Sequence, residues 1–181
     1  MQRLFAEPTD WHVPWLPKVL PQVTAIAECR PERTVFTRFV PPPTPEQAVG
    51  AWKDYYRRWR GMARDRLDPA LLELVEPLRR LVPPAHLVDK SGYSAFSNPR
   101  LAPALRRRGA TTLIVSGGET DVCVMATIMG ALDHGFRVVL PTDALCSSVD
   151  RTHDALLEVY RSRFGQQLAT TTAERICARW T

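Results

Sequence analysis

The stretch Thr111-Thr112-Leu113-Ile114-Val115-Ser116-Gly117-Gly118-Glu119-Thr120-Asp121-Val122-Cys123-Val124 decides the fold. Its first five residues are β-branched or aliphatic. They read as a strand apolar on both faces, as the inner strands of parallel sheets are. Two glycines then let the backbone turn tightly. From about Asp121 to His134 the spacing becomes helical, with Val124, Ile128 and Ala131 on one face and Gly135 as the stop. A strand, a tight turn and a helix make half of a βαβ unit. In open α/β sheets the ligand sits outside the carboxyl ends of the strands, so this turn is where chemistry is expected.

Working outward, the same alternation recurs. Thr34 to Val40 is rich in β-branched and aromatic residues and reads as a strand. Thr44-Pro45-Glu46-Gln47 has the form of a capping box with proline at the first helical position, and predicts a helix running to about Ala63. Asp68-Pro69 predicts another, with Leu71, Val75, Leu78 and Val82 on one face, stopped by Pro83-Pro84. His86 to Asp89 is a short strand. Asn98-Pro99 opens a helix that ends at Gly109. Phe136 to Leu140 is a strand, Asp150 caps a helix closing at Gly165, Leu168 to Thr171 is the last strand, and Thr172 caps a terminal helix. Short apolar strands alternating with helices indicate a single α/β domain over residues 1–181, a doubly wound parallel sheet in three layers.

The chain has 181 residues, 45% hydrophobic and 24% charged, within globular averages. No apolar run approaches a membrane span, and Met1 to Pro17 lacks the pattern of a secretory signal. A cytoplasmic protein with no membrane partner is expected. The net charge of +5 includes the runs Arg57-Arg58-Trp59-Arg60 and Arg106-Arg107-Arg108. Such runs can contact phosphates, but a solvated helix face is their ordinary role, and no nucleic-acid partner is expected. Only three of the 24 basic residues are lysines: Lys18, Lys53 and Lys90.

The four cysteines, Cys29, Cys123, Cys146 and Cys177, form no CxxC pair and have no histidine cluster nearby, which argues against zinc or any other metal. Without a secretory signal a disulfide framework is not expected either. Cys123 stands apart because it falls in the first turn of the helix after Gly117-Gly118. Unsatisfied amides and the helix dipole there are expected to lower a thiol pKa and to hold an oxyanion. Lys90 follows directly on the strand His86–Asp89, within Lys90-Ser91-Gly92-Tyr93-Ser94-Ala95-Phe96, so it belongs at the same sheet edge. A compact ammonium there can favour a thiolate or a tetrahedral intermediate.

Together, Lys–x–x–Tyr–Ser–Ala–Phe, the Gly–Gly–Glu–Thr–Asp–Val–Cys–Val turn, Gly135-Phe136-Arg137-Val138-Val139 and Asp143-Ala144 resemble the isochorismatase-like cysteine hydrolases, in matching order from Met1 to about Ala169. The resemblance implies an Asp–Lys–Cys triad on a six-stranded parallel sheet. It makes Cys123 the nucleophile toward an amide-type carbon, with Lys90 beside it and no cofactor. It implies an oxyanion site from the Glu119 and Cys123 amides, with a cis peptide between Gly118 and Glu119. It also implies a pocket for a small-molecule substrate lined by Gln2, Phe5, Tyr93, Phe96 and Thr120.

One element of that pattern is not in the chain. In the family the aspartate ends the first strand in an apolar run–Asp–x–Gln pattern, with a phenylalanine three residues after the glutamine. Met1, Gln2 and Phe5 fit the x, Gln and Phe positions, so the aspartate and its strand are expected just ahead of Met1. The four or five apolar side chains of such a strand contribute about 1.5–3 kcal/mol each. Their sum rivals the roughly 5–15 kcal/mol stability of a whole domain. Glu7 and Asp10 lie beyond the motif and do not take the role.

The remaining motifs carry less. Asp10-Trp11-His12 offers an Asp–x–His pair without a third ligand. His153-Asp154 reads as a helix first turn. Trp52, Tyr55, Tyr56 and Trp59 share a helix and either cover the pocket or form a subunit interface; enrichment of aromatics at interfaces favours the latter, hence a homo-oligomer. The leading expectation is a cysteine hydrolase of small amides, more than of a vinyl ether. The alternatives are a non-catalytic relative that binds a small molecule in the same pocket and, on the arginine runs alone, a nucleic-acid binder.

Overall fold

The computed structural model describes residues 1–180. In chain order the elements are helix α1 (Arg3–Ala6), helix α2 (Leu16–Cys29), strand β1 (Val35–Phe39), helix α3 (Trp52–Arg58), helix α4 (Glu76–Arg79), strand β2 (His86–Lys90), helix α5 (Leu101–Arg107), strand β3 (Thr112–Ile114), the short strand β4 (Gly117–Gly118), helix α6 (Met125–Asp133), strand β5 (Arg137–Pro141), the short strand β6 (Leu145–Cys146), helix α7 (Asp150–Arg163), strand β7 (Leu168–Thr171) and helix α8 (Ala173–Arg179).

All strand pairings are parallel. β1 pairs with β2, Val35 opposite His86 through Phe39 opposite Lys90. β3, β5 and β7 form a second ladder in that order, and β4 pairs with β6. Helices cover both faces. Val138 and Leu140 of β5 pack with Ile128 and Ala131 of α6 and Leu157 and Tyr160 of α7. Val139, between them, points the other way, into Val23 and Ile26 of α2 and Ile176 of α8. Alternation along one strand thus feeds two helical layers, which is the doubly wound α/β arrangement the sequence predicts.

Several local readings are revised. The helix expected from Thr44 to Ala63 is broken: Pro45–Gln47 make one tight turn, Ala48 is extended, Gly50 takes a positive φ of 56°, and regular helix covers only Trp52–Arg58. The helix expected after Asp68 is also split. The Asp68 carboxylate accepts from the Ala70 amide, but the chain is extended again at Glu73 and Val75 before α4, because Leu74 bridges to Gln2. Residues 16–29, to which the sequence reading assigns no element, form one of the two longest helices despite Pro17 and Pro21. Asp150 is the first helical residue of α7 rather than its cap. β3, expected to be buried on both faces, leaves Leu113 and Ile114 half-buried and Thr112 exposed. Among the described residues its second edge, like that of β1, pairs with no strand.

Cys29 and Cys177 form a disulfide, with Cα atoms 5.9 Å apart and 148 residues between them in sequence. This overturns the expectation of unpaired cysteines. Compartment arguments set a prior for a chain, but here α2 and α8 pack side by side and bring the two thiols together. Cys123 and Cys146 remain free. Thiol titration in denaturant should count two groups before reduction and four after; four before reduction would show that the bridge does not form. No described helix is long and apolar enough to cross a membrane. In the arginine runs, Arg57 pairs with Asp54 and Arg60 with Asp65.

Candidate active site

Cys123 lies where the carboxyl ends of the strands meet the first turn toward α6. Thr120–Val124 form a wide turn in which the Val124 amide reaches back five residues to the Glu119 carbonyl, at 2.9 Å. The two glycines ahead of it are required by space. Gly117 has a φ of 105°, and a β-carbon on Gly118 would stand 2.9 Å from the Cys146 sulfur. The Gly118–Glu119 peptide is cis. The Glu119 backbone amide donates to no protein acceptor among the described residues.

Polar contacts pin this turn from behind. The Asp121 carboxylate accepts from the hydroxyls of Ser147 (2.5 Å) and Thr152. Glu119 accepts from the Ser148 amide at 3.0 Å and from its hydroxyl. Thr120 is fully buried; its hydroxyl donates to the Cys146 carbonyl at 3.1 Å and lies 2.8 Å from Nδ1 of His153. Thr120 therefore supports the turn and does not line the cavity. His153 sits in the first turn of α7, as expected, but its ring makes the turn's third anchor. Of these groups Glu119, Thr120 and Asp121 belong to the motif around Cys123. Ser147, Ser148, Thr152 and His153 come from the other side of the fold and carry no local signal.

Lys90, the last residue of β2, is only 6% exposed. Its Nζ donates to the Gly92 carbonyl at 3.1 Å and the Tyr93 carbonyl at 2.5 Å, and stands 5.3 Å from the centre of the Phe39 ring. It lines the same cavity as the Cys123 thiol, and the two groups act on each other by charge. Burial lowers the Lys90 pKa, opposed by Cys123. Burial raises the Cys123 pKa; the positive charge of Lys90 opposes this, and Glu119 adds to the rise. The expectation of a thiol lowered by its helix terminus is thus revised: desolvation outweighs the favourable groups. Lys90 is the largest of the groups favouring the thiolate.

Gln2, Phe5, Lys90, Phe96, Cys123 and Thr127 line one cavity of about 1000 Å³ that continues down between β1 and β3. The Gln2 carboxamide is already committed: it donates to the Phe39 carbonyl (3.0 Å) and the Leu72 carbonyl (2.9 Å), and accepts from the Phe39 amide at 2.7 Å. It braces the pocket wall rather than facing a ligand. Aromatic side chains roof the site. Trp11 packs on Phe5, Phe39, Tyr55 and Tyr56, and Tyr93 lies 4.7 Å from Trp52 between ring centres. The aromatic residues of α3, for which an interface was favoured, pack within the chain instead, and Tyr56 is 1% exposed. Among the described residues no group of three or more His, Cys, Asp or Glu side chains converges as a metal site.

Cys123 is the half-buried free thiol, Cys146 is fully buried, and the other two are bridged. Limiting iodoacetamide with peptide mapping should therefore label Cys123 first. Labelling of Cys146 ahead of it would contradict the accessibility described.

A parallel α/β sheet with a cysteine on the first turn beyond its carboxyl edge, and a buried lysine against it, defines a class of fold and site. Comparison with known proteins gives the family. A family model described as the isochorismatase domain matches residues 1–173. The chain belongs to the isochorismatase family. The crystal structure of a cysteine hydrolase from Pseudomonas syringae pv. phaseolicola 1448A superposes with a TM-score of 0.85 at 22% identity, covering 99% of this chain and 88% of that one. Nicotinamidase 3 of Arabidopsis thaliana is 34% identical over 86 residues, 47% of this chain and 43% of that protein. The ureidoacrylate amidohydrolase RutB of Methylobacterium radiotolerans is 31% identical over 105 residues, 58% of this chain and 39% of that protein. The matched stretches span less than half the length of these two relatives.

Proposed function

We propose that the protein is a cysteine hydrolase acting on a small amide-type substrate through a covalent acyl-cysteine. The observation that carries this reading is the placing of Cys123 and Lys90 on one cavity at the carboxyl edge of the sheet, beside the uncommitted Glu119 amide. Sγ of Cys123 attacks the amide carbon and its proton passes to a base. The carbonyl oxygen, now anionic, is held by the Glu119 and Cys123 amides. Collapse breaks the C–N bond, the departing amine takes the proton from the base, and water hydrolyses the thioester to free the acid and the thiol. Lys90 favours the charged sulfur and the tetrahedral species. Phe5, Phe39 and Phe96 among the cavity's lining suit a small, flat acyl group.

The base is the open position. Among the described residues the carboxylate that acts on Cys123 is Glu119, which raises the thiol pKa and is bound to Ser148. That same observation favours a second reading, a non-catalytic relative that binds a small molecule in this cavity. Ammonia release from a panel of small primary amides, with mass spectrometry of the quenched enzyme, separates the two. Turnover with an acyl adduct on the Cys123 peptide supports the hydrolase. Saturable binding by calorimetry with neither turnover nor adduct would establish the binder.

A further inference from the structure

The segment from Cys146 to His153 holds the turn that carries Cys123 one residue at a time. Ser148 gives both its amide and its hydroxyl to Glu119. Ser147 and Thr152 give their hydroxyls to the two oxygens of Asp121. Each carboxylate therefore has two donors, and losing one leaves the other. Thr120, between them, is different. A threonine hydroxyl has one hydrogen to give and two lone pairs to fill. The Cys146 carbonyl can only accept, so at 3.1 Å it takes the hydrogen. Thr120 is 0% exposed, and the other partner of its oxygen among the described residues is Nδ1 of His153, at 2.8 Å.

These contacts leave one arrangement of protons. Nδ1 of His153 carries a hydrogen, because Thr120 has none left to give. The imidazole N–H donates to the Thr120 oxygen, the Thr120 hydroxyl donates to Cys146, and each bond polarises the next. Both ends of this chain are anchored. His153 lies in the first turn of α7, where its own amide donates to the Val149 carbonyl at 3.1 Å. Cys146 belongs to β6, which pairs with β4, and its carbonyl would stand 3.4 Å from a β-carbon on Gly118. Thr120 is also where the wide turn closes. Its carbonyl accepts from the Met125 amide, as that of Glu119 accepts from Val124. Thr120 thus stands between the glycine pair and Cys123, and a shift there passes along the turn to the thiol.

We propose that His153 is a positioning residue for the reaction at Cys123. Through its Nδ1–H it holds Thr120, and through Thr120 it keeps the thiol at the cavity within the field of Lys90. The assignment rests on Cys123 being the reacting thiol, as the hydrolase reading has it. A buried hydroxyl oxygen left without its donor is costly. Without His153 the turn relaxes to find another donor, and the thiol moves away from Lys90.

Nitrogen–proton correlation NMR reads the tautomer in the unaltered protein, at a pH well above the ordinary imidazole pKa of about 6.5. Nδ1 should carry the proton; a neutral ring with a bare Nδ1 would overturn the proposal before any variant is made. The pH profile of Cys123 alkylation by iodoacetamide tests the link to the thiol and needs no turnover. In His153→Ala the profile should move to higher pH, with the rate at neutral pH about tenfold lower, because less of the Lys90 charge is felt. His153→Asn should bring the rate back to within about twofold, since its side-chain N–H takes the place of Nδ1–H. His153→Gln, whose N–H falls one bond further out, should not. In a Thr120→Val background all three should react alike, because the effect passes through that hydroxyl. A lowered melting temperature with an unmoved profile in His153→Ala would reduce His153 to a structural anchor and overturn the proposal. So would equal losses in His153→Asn and His153→Gln, or losses that add to that of Thr120→Val. If the alkylation results hold and no amide is turned over, the hydrolase reading fails and the hold of His153 on the thiol stands.

Discussion

Replacing Cys123 with alanine should reduce amide turnover to background, a loss of about 10⁴-fold or more, while the protein remains folded. The size follows from the chemistry. Without the thiolate there is no covalent intermediate, and loss of a nucleophile removes everything beyond binding and oxyanion stabilisation. The stability cost is small because the side chain is short and only half-buried, so about 1 kcal/mol or less is expected. Circular dichroism and melting temperature would establish the second half of the result. A variant with more than a few per cent of wild-type turnover would remove Cys123 from the mechanism, and Cys146, buried 0% exposed behind Gly118, would not replace it.

The glycine turn and its cysteine were legible because their signal is local. Strand, glycines and helix spacing are all written within 111–135, and the structure keeps that order. The break in the helix expected from Thr44 to Ala63 was not legible, because Trp52, Tyr55 and Tyr56 have true helical spacing. The break falls ahead of those rings, at the extended Ala48 and the positive φ of Gly50, and the rings pack against Trp11 and Phe39. Helix α2 was hidden by Pro17 and Pro21; the first falls in its first turn, where a missing N–H costs little. The Cys29–Cys177 bridge depends on α2 meeting α8 across 148 residues, which no spacing rule reaches. The thiol's pKa was misjudged in direction for a similar reason. A helix terminus is visible in the sequence, whereas the desolvation that outweighs it is set by how the whole fold buries the thiol.

Lys90 should be as sensitive to geometry as to charge. Lys90→Ala and Lys90→Arg should each lower turnover by about 10²-fold or more, for different reasons. The ammonium is held by the Gly92 and Tyr93 carbonyls in a buried niche against Phe39, with room for a compact head. A planar guanidinium is wider and cannot give up its proton, so it keeps charge without keeping position. The pH dependence of Cys123 alkylation separates the two effects. Burial and Glu119 raise the thiol pKa and Lys90 lowers it. Removing Lys90 therefore moves the pKa further up, and at fixed pH below it the thiolate fraction and the alkylation rate fall. In Lys90→Ala the rate profile should shift to higher pH. In Lys90→Arg the shift should be smaller, because a positive charge remains nearby. Glu119→Gln should shift it the opposite way, toward lower pH. An arginine variant with near-wild-type turnover would reduce Lys90 to a generic positive charge, and an alanine variant with an unmoved profile would show that Lys90 does not act on the thiol at all.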